Sequence, residues 1–387
     1  MRLAILLFNM PVSKASGSCR FVWQIAEELQ NRGIDVTVIA NKDGSKSPHN
    51  FRLIEVDTPP YGSWTNCLSD KISFADTLNK YLIALLEANN TYHFDLLHVQ
   101  HLLFSTLIAS LFKDLTGIKF VATCHGTETH ESVGRSDMEY FFKYANEAAL
   151  VTSASEVILD DILRLTRFSR NSIAVTYPGV DVSKFKPDSG KRSVVRSNLG
   201  FSEKDKILLF AGRLVAEKGL LLVPKIFSEV YQKNNEARLL IVGEGPQRKE
   251  AEQALAKLYI NQNLYRFTGL IPQDKMTDFY SASDIFLMPS VWNEPFATTA
   301  LEAMSNGCLP VFNDIGGIAK MLKKEGFKKL VLSQNKGDFS QKVIELLADE
   351  TGSSAICKKL GILMKDKFTW KSRVTQFINI YEQSISK

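Results

Sequence analysis

Short apolar runs alternate with longer segments of helical periodicity along the whole chain. The chain opens with the apolar run 3–8, and Gly33 ends the amphipathic segment 18–31 that follows. Apolar residues in that segment recur at helical spacing, which predicts a helix after a buried strand. Alternating strands and helices favour an α/β architecture with parallel sheets. Further strands in this half are predicted at 34–39, 96–99, 120–123 and 150–153.

The second half repeats this alternation. The segment 178–202 is rich in Pro, Gly, Ser and charged residues, and we predict that it is a linker. The C-terminal segment from Phe368 predicts an amphipathic helix. Two such halves predict a ligand cleft between them, outside the carboxyl ends of the strands. The second half has predicted strands at 207–211, 239–242, 266–268, 285–288 and 309–312, and predicted helices at 220–232 and 247–257.

The composition is that of a globular protein with room for two domains. The chain has 387 residues, of which 45% are hydrophobic and 23% charged. No apolar run reaches the ~18–20 residues that span a bilayer, and we interpret the first run as a strand, not a signal peptide. The five cysteines lack the spacing of a disulfide framework or a metal site. We therefore predict a cytoplasmic protein without a metal site.

Charge is distributed unevenly. Residues 1–190 carry 18 Lys and Arg against 21 Asp and Glu, whereas the remainder carries 29 against 21. We interpret the lysine clusters at 320–329 and 358–367 as solvated helix faces, with attraction to anionic lipid or nucleic acid as the alternative. The chain has no nucleic-acid motif, so we predict no nucleic-acid partner. A local patch of Arg164, Arg167 and Arg170 leaves open a weak peripheral contact with the inner face of the cell membrane. The sequence is compatible with either a monomer or a homodimer.

The most informative segment is Glu294-Pro-Phe-Ala-Thr-Thr-Ala-Leu-Glu302, which follows a strand-like run and opens a helix. The backbone N–H groups of Phe296, Ala297 and Thr298 are predicted at a helix N-terminus, where an anion is favoured. A carboxylate beside such a helix end suits a ligand with hydroxyls and phosphates, such as a nucleotide sugar. The alternative is a surface glutamate followed by an ordinary helix glutamate.

A glycine-bounded loop, Gly212-Arg-Leu-Val-Ala-Glu-Lys-Gly219, links a predicted strand to a predicted helix. Such a loop brings Arg213 and Lys218 to one point, as a diphosphate requires. Both cations would stabilise charge on a departing nucleotide. The alternative is two unrelated surface cations.

These segments resemble the E-x7-E and G-R-x4-K-G motifs of the retaining glycosyltransferases of family 4, which have the GT-B fold. The resemblance covers nearly the whole chain and is strongest from Gly212 to Gly317. The family usually has two adjacent glycines where this chain has Gly17-Ser18, and it has Pro-Glu where this chain has Ala319-Lys320. Further matching segments are Thr123–Thr127, Tyr177–Asp181, Gly243–Pro246, Phe267–Ile271 and Ile315–Ile318.

The resemblance implies a role for each matching residue. Glu294 would contact the donor sugar, Glu302 the nucleotide ribose, and His125 the sugar and its phosphate. The implied catalytic set is His125, Arg213, Lys218 and Glu294. The implied donor-binding set is Gly17, Gly269, Leu270, Ile271, Phe296, Ala297, Thr298 and Glu302.

The resemblance also implies two Rossmann-like domains that face each other across a cleft. These are an acceptor-binding domain (1–186), a nucleotide-sugar-binding domain (187–367) and a C-terminal helix (368–387) that crosses back to the first domain. The implied enzyme moves a hexose-type sugar, with retention, from a UDP-sugar by default to a hydroxyl of a glycan or lipid-linked glycan. Lipopolysaccharide or surface-polysaccharide synthesis is the implied setting. No Asp-x-Asp motif is placed at the predicted cleft, so we predict that the positive side chains replace a divalent ion and that no cofactor is required. A sugar-nucleotide epimerase, a phosphorylase and a non-catalytic nucleotide-sugar-binding scaffold are the alternatives.

Overall fold

A computed structural model describes residues 1–8, 10, 17–42, 49–59, 69–332 and 339–386. The chain divides into two compact units. The first comprises Met1–Pro178 and Trp370–Lys387, and the second comprises Gly179–Thr369. The domain boundaries predicted from the sequence lie between residues 186 and 187 and between residues 367 and 368.

Strands and helices alternate through both units. The strands are β1 Arg2–Leu7, β2 Asp35–Asn41, β3 Arg52–Val56, β4 Leu96–Gln100, β5 Phe120–Cys124, β6 Leu150–Ser153, β7 Ile173–Val175, β8 Lys206–Ala211, β9 Ala237–Val242, β10 Tyr265–Gly269, β11 Ile285–Met288, β12 Leu309–Asn313 and β13 Val331–Leu332. The helices are α1 Gly17–Asn31, α2 Lys71–Tyr92, α3 Phe104–Thr116, α4 Thr127–Ser132, α5 Ser136–Glu139, α6 Leu159–Leu165, α7 Ser189–Leu199, α8 Val223–Lys233, α9 Arg248–Lys257, α10 Met276–Ala282, α11 Thr298–Ser305, α12 Gly316–Lys324, α13 Phe339–Ala348, α14 Glu350–Lys367 and α15 Trp370–Ser386.

The first unit is built on a parallel sheet whose described strands lie in the order β3-β2-β1-β4-β5-β6-β7. Strand β1 is apolar from Leu3 to Leu7 because helices cover both faces of the sheet. Helix α15 packs against α1 in this unit, where Phe21 meets Trp370 and Phe377 edge to face. The predicted return of the C-terminal helix to the first domain is therefore confirmed.

The second unit has a parallel sheet with the described strand order β10-β9-β8-β11-β12-β13. The predicted α/β architecture with parallel sheets is confirmed in both units. In each sheet the strand order reverses once, between β1 and β4 and between β8 and β11. Ligands of such sheets bind at the carboxyl ends of the strands that flank this reversal.

The prediction of a linker at 178–202 is wrong in its second half, which forms helix α7. The Asp188 side chain caps this helix by accepting from the Lys191 N–H at 3.0 Å, and Gly200 ends it at φ 73°. Polar contacts anchor the helix where an apolar stripe would be expected. The buried Arg196 donates to Asp284 at 2.8 Å. Because an arginine anchors helix α7, the pattern of hydrophobic residues did not reveal this helix.

Across the described residues, no helix is both long enough and apolar enough to span a membrane.

Candidate active site

Three loops leave the carboxyl ends of β8, β9 and β10, and backbone hydrogen bonds join them. Leu214 N–H donates to the Glu244 carbonyl, and Gly243 N–H to the Gly269 carbonyl, both at 2.9 Å. Position 243 requires glycine, because its φ is +130° and a Cβ there would lie 1.9 Å from the Gly212 carbonyl oxygen. The Gly243 turn therefore lets the three loops approach one another.

Lys218 and Glu294 meet where β8 and β11 end, although they stand 76 positions apart in the chain. Lys218 Nζ donates to Glu294 Oε1, and Ser290 Oγ donates to Glu294 Oε2 at 3.3 Å. The side chains are 20% and 9% exposed, respectively. The carboxylate is thus a nearly buried anion, which the adjacent ammonium group neutralises and orients.

Two glycines make this contact sterically accessible. Gly219 has φ +70°, and a Cβ there would lie 2.0 Å from the Pro289 carbonyl oxygen at the end of β11. Gly316 has φ +85°, and its Cβ would lie 2.7 Å from the Glu294 carbonyl oxygen. That oxygen accepts from the Gly317 N–H at 2.9 Å. The turn before α12 therefore keeps a backbone role beside Glu294.

Helix α11 begins beside Glu294 without a side-chain cap. Ala297 occupies its N-cap position and is buried, whereas Phe296 and Thr298 are half-buried. The N–H groups of Thr298 and Thr299 lie in the first turn, where no intrahelical acceptor exists. Such a helix end favours an anion, and Arg213 contributes an exposed cation in the loop after β8.

Glu302 is buried in α11, and both oxygens of its carboxylate are hydrogen-bonded. Tyr280 Oη donates to Oε2 at 2.9 Å, and Gln273 Nε2 donates to Oε1 at 2.6 Å. Each carboxylate oxygen can accept more than one hydrogen bond, so a diol could add to these contacts or replace Gln273. Sequence reasoning missed Tyr280 and Gln273, since neither lies in a recognisable motif.

The turn after β10 exposes an apolar surface. Gly269 has φ +74°, and the Leu270 side chain that follows is 77% exposed. Ile271 is half-buried beside it. An exposed leucine at the carboxyl end of a strand suits contact with a flat apolar ligand group such as a nucleobase.

In the first unit, His125 follows β5 and lies against α1. Its Nε2 is 2.8 Å from Gln100 Oε1, and its ring centroid is 5.0 Å from that of Phe21. Burial of the ring, and then the nearby His101, lower the pKa of His125 well below its ordinary value. The imidazole is therefore neutral at pH 7.

Glu128 holds the backbone of His125. Its fully buried carboxylate accepts from the His125 N–H at 3.1 Å and lies 3.1 Å from His101 Nδ1. Burial alone would raise the pKa of Glu128, but His101, His125 and a backbone hydrogen bond together lower it to about 2. Sequence reasoning missed Glu128, which is the second residue of α4 and binds the N–H of His125, the residue before the N-cap Gly126.

Gly17 is the first residue of α1 and is exposed. A Cβ at this position would meet no described atom within 4 Å. Most of the loop expected to approach the donor, residues 9 and 11–16, lies outside the described residues. In the described parts of the chain, no group of three or more His, Cys, Asp or Glu side chains could hold a metal ion.

Two family models match the chain. "Glycosyl transferases group 1" matches residues 191–362, and "Glycosyltransferase Family 4" matches residues 15–184. An uncharacterized glycosyltransferase of Methanocaldococcus jannaschii is 22% identical over 99% of this chain and 98% of its own length. The D-inositol 3-phosphate glycosyltransferase of Corynebacterium aurimucosum is 25% identical over 76% of this chain and 72% of its own length.

Two solved structures share the fold of the whole chain. The sucrose-phosphate synthase of Thermosynechococcus elongatus superposes with a TM-score of 0.80 at 19% identity, covering 100% of this chain and 99% of its own. HepE of Anabaena, in complex with UDP-glucose, gives 0.77 at 18% identity and covers 99% of each chain. The shared architecture is the GT-B fold.

Proposed function

Because this chain belongs to the group 1 and family 4 glycosyltransferases, we propose that it transfers a hexose from a nucleoside diphosphate sugar to an acceptor hydroxyl, with retention. It is a hexosyltransferase; the donor, acceptor and stereochemistry are our proposal. The observation that carries the proposal is the contact of Lys218 with Glu294 where β8 and β11 end. This contact places a cation and a hydroxyl-binding carboxylate beside the N-terminus of α11.

Leaving-group stabilisation is the proposed source of catalysis. Arg213 and Lys218 bind the diphosphate, with the first-turn amides of α11, and neutralise the charge that develops as the nucleotide departs. A lysine ammonium group has three N–H donors. The contact with Glu294 uses one of these donors, so two are left for phosphate oxygens. Glu294 accepts hydrogen bonds from sugar hydroxyls through its remaining lone pairs.

Glu294 and Glu302 are not proposed as the acid and base of a glycosidase. Such a pair must flank the scissile bond, whereas Glu302 is buried in α11 and is bonded to Tyr280 and Gln273. Its carboxylate instead suits the ribose diol, which would share or displace the Gln273 contact. The acceptor then attacks on the face that the nucleotide leaves, without a nucleophilic side chain.

UDP is the proposed nucleotide, in line with the UDP-glucose in the HepE structure. The exposed Leu270 after β10 would contact the base, beside the backbone of Gly269 and Ile271. We propose that the side-chain cations replace a divalent metal ion.

The proposed acceptor is a glycan or a lipid-linked glycan of the cell surface, as the motif resemblance implies. The arginine patch considered for membrane contact is partly neutralised. Arg164 is paired with Glu139 at 3.2 Å, and Arg170 with Asp160 at 2.5 Å. We therefore propose peripheral contact at the inner face of the membrane only through the acceptor lipid. The name of the corynebacterial relative supports testing an inositol phosphate as a small soluble acceptor.

A thermal-shift panel with UDP, GDP, ADP and their sugars tests the donor assignment. A ligand that binds only the folded protein adds about 2.7 kcal/mol at 100 times its Kd. We expect a shift with UDP compounds that is lost in Glu302→Ala. Tyr280→Phe is the matched control, because it keeps the carboxylate and removes one of its hydrogen bonds.

The outcomes separate the alternatives. Nucleotide release that depends on an added acceptor supports transfer. Binding without turnover would favour the scaffold, and conversion of the sugar nucleotide without an acceptor would favour an epimerase. Phosphate-dependent release of a sugar phosphate would favour a phosphorylase. The absence of any shift would contradict the assignment of Glu302 and Leu270 to a nucleotide.

A further inference from the structure

A row of polar side chains crosses the face of the first sheet that α1 and α15 cover. It comprises His98 and Gln100 on β4, Thr123 on β5 and Thr152 on β6, all at most 1% exposed. The cluster that surrounds this row is apolar. Buried polar groups in apolar surroundings are unfavourable unless they are hydrogen-bonded. The hydrogen-bond partners of these four side chains therefore indicate their role.

The hydrogen bonds of the row lead from the C-terminal helix to the candidate active site. Tyr381 Oη on α15 lies 2.8 Å from His98 Nδ1. His98 Nε2 lies 3.2 Å from Gln100 Nε2, and Gln100 Oε1 lies 2.8 Å from His125 Nε2. An amide nitrogen donates and an amide oxygen accepts. Gln100 therefore donates to His98 and accepts from His125.

This direction determines where each imidazole carries its proton. His98 Nε2 is an acceptor, and the Thr123 hydroxyl, 2.7 Å away, donates to the same atom. Thr152 Oγ1 lies 2.7 Å from Thr123 Oγ1 and supplies the next donor. A neutral His98 then carries its proton on Nδ1 and donates it to the Tyr381 oxygen. His125, which donates from Nε2, has its lone pair on Nδ1.

We propose that Tyr381, His98 and Gln100 are positioning residues that hold His125 as the Nε2–H tautomer, so that Nδ1 accepts a hydrogen bond from a hydroxyl of the donor sugar. The inference rests on the proposed function and on the family resemblance, which implies that His125 contacts the donor sugar. It gives the C-terminal helix a specific role at the site. The Gln100 amide sets the direction of these hydrogen bonds, and Tyr381 favours the His98 tautomer that this direction requires by accepting its Nδ1 proton.

Nitrogen-15 spectra of the histidine rings in the full-length chain test the inference. The two ring nitrogens of a neutral imidazole are distinguishable in such spectra, and the chain has six histidines. The signals of His125 are identified by their loss in His125→Asn. We expect His125 to be protonated at Nε2 in the wild type. The Nδ1–H tautomer at neutral pH would overturn the inference.

Tyr381→Phe removes the oxygen to which His98 donates. We expect a mixture of His125 tautomers and a fall in kcat on the order of tenfold with little change in KM, by analogy with the loss of a residue that orients a metal-binding histidine. Tyr81→Phe is the matched control. Tyr81 is also fully buried in this unit but belongs to the other core cluster and packs on Phe8. Its replacement should leave the His125 signals unchanged.

Gln100→Leu interrupts the same series of hydrogen bonds next to His125. This variant tests the inference if Tyr381→Phe does not fold. Unchanged His125 signals in either folded variant would overturn the inference, whatever the activity. The transfer assay reports separately on the proposed function. A normal transfer rate in His125→Asn would refute the part of the inference that places a sugar hydroxyl at Nδ1, and the spectra alone would then decide the tautomer.

Discussion

Replacing Gly219 by alanine places a methyl group against the end of β11. The Cβ would lie 2.0 Å from the carbonyl oxygen of Pro289 and 2.8 Å from its carbonyl carbon, and both are backbone atoms. No side-chain rotation can relieve this contact. Either the loop after β8 or the segment after β11 must move, and these two segments carry Lys218 and Glu294. The substitution therefore perturbs the contact between the two side chains without changing either of them.

The expected loss of stability has two parts. A residue other than glycine at φ +70° costs roughly 1–2 kcal/mol, and forcing the backbone apart costs roughly a further 1–3 kcal/mol. Gly326→Ala is the matched control in the same unit, since Gly326 has φ +90° but no atom within 4 Å of its Cβ. Gly326→Ala should therefore lose only the stability that the positive φ costs, roughly 1–2 kcal/mol.

Urea unfolding of both variants measures this difference, and initial transfer rates measure its effect on the site. A misplacement of about 1 Å can lower turnover on the order of 10²-fold, so we expect such a loss in Gly219→Ala and near wild-type turnover in Gly326→Ala. Equal stabilities of the two variants, with equal rates, would show that the contact with Pro289 does not position Lys218. The role of the loop after β8 would then need another explanation.

Three further predictions concern the charges of the site and the core. Lys218→Ala and Arg213→Ala should each lower turnover on the order of 10²–10³-fold, since each removes a preorganised cation; full activity in both variants would contradict the assignment. Transfer should continue in a chelator, and activity that vanishes there and returns with Mn²⁺ or Mg²⁺ would refute metal independence. Burial lowers the pKa of His98 from 6.5 to about 3, so below pH 6.5 the unfolded chain binds a proton that the folded chain does not. Stability should therefore fall as the pH decreases from 6.5 towards 3. His98→Gln should flatten this part of a urea-unfolding pH profile, and an unchanged slope would count against a neutral buried His98.

Apart from β10, which lies at a sheet edge, the predicted strands lie inside the sheets. Strands such as β1 and β8 are covered on both faces, so their sequences are continuous apolar runs that the pattern reveals. The strands β3, β7 and β13 lie at sheet edges and are only partly buried, and their mixed sequences gave no such signal. Helix α7 was missed for the related reason that its anchors are arginines.

The site was predictable to the extent that the topology brings its motifs together. Strands β8 and β11 are neighbours where the strand order reverses, so the loops that carry Lys218 and Glu294 meet at one edge. The motif spacing did not predict that these two side chains bond to each other. Gln100, Glu128 and Tyr381 were not predicted either, because none of them lies in a recognised motif. Tyr381 meets His98 only when α15 packs on the sheet, and Gln100 meets His125 only when β4 and β5 pair.

Three buried carboxylates, Glu294, Glu302 and Glu128, are hydrogen-bonded before any ligand binds. Glu294 is bonded to Lys218, Glu302 to Tyr280 and Gln273, and Glu128 to His101. Burying an unpaired carboxylate would cost several kcal/mol. The partners of these carboxylates therefore stabilise each of them in a single orientation. Donors and acceptors oriented in this way need no reorganisation when charge develops on the leaving group. The pairing of Lys218 therefore does not compete with phosphate binding, since the lysine keeps two donors and the contact with Glu294 determines where they point.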